Sequence, residues 1–124
     1  MDKNFVIASL VLAGAALLGH VPAEAAPAAR PRAFAACAMC HKVQPDAHGL
    51  GPSLWGIAGR KAGSMPGFNY SPAMKKAPIK WTRANLVAFI SAPRAKVPGN
   101  RMAYVGMKSP ADAAAIADYL LSLK

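Results

Sequence analysis

Phe5 to Gly19 form an uncharged, mostly apolar run that His20-Val21-Pro22 interrupts. Further on, from Lys42 to Ser71, neither strand alternation nor helical spacing survives. Pro45, Gly49, Gly51, Pro52, Gly56, Gly59, Gly63, Pro66 and Gly67 punctuate that stretch, which predicts a long irregular loop. Loops of this length with no structure of their own are uncommon, so something inside must hold it. Helical periodicity returns afterwards. Thr82 precedes Leu86, Phe89 and Ile90, a stripe that Pro93 ends, and Pro98-Gly99 reads as a turn. Ser109, Pro110 and Asp112 form a capping box ahead of Ile116, Tyr119, Leu120 and Leu123, one face of a terminal helix. Pro31 can open a helix running to about His41, and Ser71-Pro72 can cap a short one across Ala73–Lys76. The predicted class is all-α, with short helices and much loop.

The first apolar run has a different meaning. Fifteen positions are too few to cross a bilayer comfortably, since a spanning helix wants about 20. A short start with Lys3 precedes the run, and Ala23-Glu24-Ala25 follows it with the small-x-small pattern of a cleavage site. Residues 1–25 are therefore expected to be a cleaved secretory signal, and 26–124 one domain. A cut after Ala28, or retention of the run as an N-terminal anchor, are the alternatives.

Of 15 basic and 5 acidic residues, cleavage removes Lys3, Asp2 and Glu24, leaving about +11. Such a charge favours acidic partners. The cations are scattered from Arg30 to Lys124 with no arginine-rich run and no reader motif, which argues against nucleic acid. Large apolar side chains are few for residues 26–124, and thin cores of this size need a disulfide, a metal or a cofactor as a staple.

With only two cysteines, the staple is legible. Cys37-Ala38-Met39-Cys40-His41 is the C-x-x-C-H signature of covalent haem attachment. Positions i, i+3 and i+4 of a helix share a face, so both thiols reach two vinyl groups on one porphyrin edge and the imidazole reaches the iron. A thioredoxin-like C-x-x-C needs a strand-helix context that is missing. Structural zinc needs further ligands, but His20 lies in the signal and His48 stands alone. A plain disulfide leaves His41 unexplained. For the second axial position the candidates are Met39, Met65, Met74, Met102 and Met107, with His48 behind them. Met102 leads and Met107 follows, because Pro98-Gly99 could turn the Met102 thioether onto the opposite haem face. His/Met ligation leaves no open iron position, which suits electron transfer.

From about Phe34 to Leu123 the sequence resembles the single-haem class I cytochromes c, the mitochondrial-like type found in many bacteria. The resemblance implies a few short helices and long loops wrapped around one covalently attached haem. It implies that the carbonyl of Pro52, in Gly51-Pro52-Ser53-Leu54, orients the ligating His41. It also implies that Arg60, Tyr70 and Trp81 donate to the haem propionates, and that His48 ties two loops together. Tyr104 matches an aromatic residue at the haem edge, and Ile116, Tyr119 and Leu120 match a face docking on the N-terminal helix.

Several residues depart from the family pattern. Phe89 stands where a tyrosine is frequent, and Asn100 where a threonine is; Ala33 and Ala36 replace a bulky residue and a rim lysine. Arg94, Lys96, Arg101 and Lys108 are then the best candidates for a thin basic rim. The implied function is one-electron transfer in the periplasm, by a non-enzymatic monomer without stable membrane insertion. Expected partners are redox proteins with acidic faces: a terminal oxidase, a cytochrome bc complex or a periplasmic dehydrogenase. The rival is a haem peroxidase or ligand-binding haem protein, which requires that Met102 not bind.

Overall fold

Pro31 holds an extended backbone ahead of a 3-10 turn, Arg32–Phe34, which runs directly into the one-turn helix α1, Ala35–Ala38. The computed structural model describes Gly19, Pro22, Ala23 and residues 25–124, so most of the expected signal lies outside the described residues. The N-terminal helix is shorter than the expected span from Pro31 to about His41. Its first turn is wound as 3-10 and has no side-chain cap, and its last is closed by Cys40 N–H and His41 N–H donating to the Cys37 carbonyl at 3.1 and 2.9 Å. Helical geometry thus persists through the cysteines without making a long helix.

Residues 42–71 form turns and bends, as the glycines and prolines require. One isolated antiparallel bridge, Lys61 with Lys80, pins the far end of this loop, helped by Ala62 N–H donating to the Ile79 carbonyl at 2.9 Å. Helix α2, Pro72–Lys76, starts where Ser71 accepts from the Met74 N–H, with proline in its first turn. Helix α3, Arg83–Ser91, is capped by Thr82 accepting from Asn85 N–H, and buries Leu86, Phe89 and Ile90.

Pro93 ends α3, but it also occupies the first turn of a further short helix, α4, Pro93–Lys96, that the periodicity does not reveal. Proline cannot continue a helix yet is well suited to begin one. Helix α5, Pro110–Leu121, is capped by the Ser109 hydroxyl and buries Ile116, Tyr119 and Leu120 on the expected face.

These pieces close on one another through α5, which packs against α3 and the first 3-10 turn. Phe34 meets Tyr119 edge to face with centroids 5.1 Å apart, and Trp81 meets Phe89 in the same manner at 5.1 Å. Gly106 has φ +115°, and a Cβ there would overlap the Ser91 carbonyl; beside it, Met107 N–H donates to the Ile90 carbonyl at 2.8 Å. The chain between α4 and α5 is thereby drawn back against α3.

Candidate cofactor cleft

Between the 37–41 segment, the 50–71 loop and the 100–104 segment lies a cleft of about 480 Å³, within the range of a cofactor site. Its walls include Leu54, Ile57, Trp81, Leu86, Phe89, Ile90, Ile116 and Leu120, which are buried side chains from the 42–71 loop, the approach to α3, α3 itself and α5. The missing core volume is this cleft.

Cys37, Cys40 and His41 share one wall. Both cysteines are free thiols and half-buried. Burial raises the Cys37 pKa, and the neighbouring Cys40 adds to the effect, so the thiol form is favoured. The His41 Nδ1–H donates to the Pro52 carbonyl at 2.7 Å. That bond dictates the tautomer and leaves the Nε2 lone pair free. Burial lowers the His41 pKa and so favours the neutral ring, partly opposed by the bond to Pro52.

The loop behind His41 is tied by a second set of bonds. His48 accepts at Nδ1 from the Ser53 N–H, 3.1 Å, and donates from Nε2 to the Pro66 carbonyl, 3.0 Å. Ser53, fully buried, donates to the Gln44 carbonyl at 2.6 Å and accepts from Trp55 N–H at 3.2 Å. Residues 44, 48, 53 and 66 thus form one polar knot that supports Pro52. The role of Ser53 is not legible in the sequence, because a serine in a Gly/Pro-rich loop looks like any turn residue.

Arg60, Tyr70 and Trp81 all line the cleft. Arg60 points its guanidinium at the Met65 sulfur and the Trp55 carbonyl, the latter at 3.5 Å. The Tyr70 hydroxyl accepts from Met65 N–H at 3.3 Å. Burial raises the Tyr70 pKa, against the opposing Met65 N–H and Arg60 charge, so the phenol keeps its proton. A cationic fork and a phenolic O–H at one end of an otherwise apolar cleft suit a carboxylate-bearing group.

Met102 lies in the segment that also brings Asn100, Arg101, Ala103 and Tyr104 to the cleft. Met65 and Met74 line it too and are more deeply buried than Met102, whereas exposed Met39 does not, and Met107 packs against the core. Tyr104 has its pKa raised first by burial and then by Cys37, and both residues line the cleft. Asn100 holds the backbone of Met102. In the sequence Asn100 stands out only as a departure from the family pattern, since a carboxamide's partners depend on a turn that spacing does not reveal.

Taken together the donor set fits a haem: two thiols and an imidazole on one wall, a thioether-bearing segment at the cleft, apolar sides and polar donors at one end.

The family model described as cytochrome c matches residues 28–124. Cytochrome c2 iso-2 of Magnetospirillum fulvum is 43% identical over 93 residues, covering 75% of this chain and 97% of the relative. Cytochrome c2 of Rhodomicrobium vannielii is 42% identical over 114 residues, covering 90% and 91%. Among solved structures, cytochrome cH from Methylobacterium extorquens superposes with a TM-score of 0.67 at 38% identity, covering 71% of this chain and 89% of that one. The match runs through the whole helical domain, and with Cys37, Cys40 and His41 in the attachment arrangement, the chain belongs to the cytochrome c family as a class I, single-haem electron carrier with one covalent haem c.

Proposed function

We propose that this protein is a periplasmic carrier that passes one electron at a time between redox proteins through the edge of a His41/Met102-ligated haem. The observation that carries this reading is the pairing of a neutral His41, its ring locked by Pro52, with a Met102 segment held at the same cleft. When bound, the haem iron supplies the redox chemistry, alternating between ferric and ferrous with no bond made or broken. Everything else is positioning. Cys37 and Cys40 anchor the porphyrin edge, the Pro52 carbonyl fixes the imidazole, and Arg60, Tyr70 and Trp81 supply donors to the propionates. No residue is assigned a catalytic role.

Met39, Leu50 and Val105 support docking at the cysteine edge. They are the exposed large apolar residues among those described, at 82%, 85% and 84% exposure. Leu50 lines the cleft, Met39 lies between the two cysteines, and Val105 follows Tyr104. Arg60, Lys61 and Arg101 line the cleft and, among the described residues, no carboxylate does, so an acidic face with an apolar centre is complementary. Charge of this kind speeds encounter more than it tightens a transient complex. Residues 1–25 are proposed as a signal cleaved after Ala25, which delivers the chain to the compartment where c-type haem is attached. Among the described residues no helix is long and apolar enough to cross a membrane.

The test is the ferric spectrum of the mature haem protein beside Met102→Ala, with Met65→Leu and Met74→Leu as comparisons. The weak sulfur–iron absorption is expected to vanish in Met102→Ala and to persist in the other two. Unchanged absorption in Met102→Ala overturns the ligand assignment.

A further inference from the structure

Asn100 makes three side-chain hydrogen bonds. Its Nδ2 donates to the Pro93 carbonyl at 2.9 Å and to the Val97 carbonyl at 2.8 Å, while its Oδ1 accepts from the Met102 N–H at 2.9 Å. Two carbonyls on one side and an N–H on the other admit one orientation of the amide, so the carboxamide is keyed in place. All three distances are good for N–H···O bonds.

What these bonds join matters. Pro93, fully buried, opens α4, and Val97 follows its last turn. Gly99, at φ +86°, turns the chain away from α4 immediately before Asn100. Without a tether, the 99–103 segment would be held to α4 by the Asn100 backbone N–H, which donates to Val97 at 3.2 Å. The side chain adds a brace from a buried proline to the amide of Met102 itself. Serine or threonine has one hydroxyl proton and cannot satisfy both carbonyls while accepting from Met102.

We infer that Asn100 is a positioning residue for the Met102 thioether, clamping its backbone to the start and end of α4 so that the sulfur stays on the iron. The inference rests on Met102 being the axial ligand. Its consequence is a high cost for swinging the segment away, which is what any exogenous ligand must force before it takes the sixth position of the ferric iron.

The experiment titrates the ferric haem protein with imidazole, following loss of the sulfur–iron absorption, in wild type, Asn100→Ala, Asn100→Thr and Ser109→Ala. Ser109 caps α5, so its loss weakens the fold without touching the segment. Asn100→Ala is expected to bind imidazole about tenfold more tightly than wild type, ~1.4 kcal/mol, with Asn100→Thr in between and Ser109→Ala unchanged. Equal affinities for wild type and Asn100→Ala overturn the inference, as does a shift in Ser109→Ala matching that of Asn100→Ala. Failure of the ligation reading itself is recognised separately, by sulfur–iron absorption that survives in Met102→Ala.

Discussion

The His41 ring is held from two sides: its Nδ1–H donates to the Pro52 carbonyl at 2.7 Å, and Gly51 lies flat against the imidazole. A Cβ at position 51 would sit 2.7 Å from Nδ1 and 2.8 Å from Nε2, closer than carbon atoms tolerate. The backbone cannot retreat, because Gly51 N–H donates to the Cys40 carbonyl at 2.9 Å. Glycine is required here for close approach.

Gly51→Ala is therefore expected to push the imidazole off its bond with Pro52 and to destabilise the haem protein by about 1–3 kcal/mol, as overpacking does. Guanidinium unfolding measures the loss, and an altered Soret band reports the misdirected ligand. A variant with wild-type midpoint and spectrum would show that the ring does not need this space.

His48 bridges Ser53 and Pro66. His48→Phe retains a ring against Phe68, whose centroid lies 5.8 Å away, but it leaves the N–H of the buried Ser53 without its acceptor. A loss of about 1–3 kcal/mol is expected from the unsatisfied donor, with the sulfur–iron absorption intact. Loss of that absorption in His48→Phe would instead show that the brace is also needed to keep Met102 on the iron.

Phe34 is fully buried and meets Tyr119 edge to face. Phe34→Ala should cost about 3–5 kcal/mol. In a double-mutant cycle with Tyr119→Leu, about 0.5–1.5 kcal/mol of this should appear as coupling. Additive losses would show that the ring pair contributes only by area.

Arg83 and Asp118 join α3 to α5 through two bonds, 2.7 and 3.1 Å long. The hydrogen bond from Arg83 lowers the Asp118 pKa below the usual carboxylate range, with its charge acting in the same direction. A depressed folded-state pKa adds stability above the unfolded pKa that disappears as pH falls through the folded one. Asp118→Asn is thus expected to lower the melting temperature slightly at neutral pH and to match wild type once both pKa values are passed in acid. Both side chains are more than half exposed, so the effect is small and weakened by salt. A difference that persists in acid would assign the loss to packing.

Much of the site is legible along the chain because its chemistry is local. Cys37, Cys40 and His41 share a face through helical geometry, and the apolar face of α5 and the serine and threonine caps follow from residues at most a few turns apart. The resemblance brought Pro52, Arg60, Tyr70 and Trp81 into view, and all of them line the cleft. Harder to read were the true extent of the first helix and the existence of α4, since both depend on how short segments are tied to distant ones.

By itself, the order of residues determines the class of fold, the attachment motif and the need for a cofactor to fill a thin core. Only the folded chain decides which lone pair His41 offers, since that depends on a carbonyl 11 residues away. Folding likewise decides that Ser53 and His48 brace one loop, and that Asn100 grips Met102 and α4 together. Hydrogen bonds are directional and short, and two groups distant in sequence meet their distance and angle only after packing has placed the backbone between them.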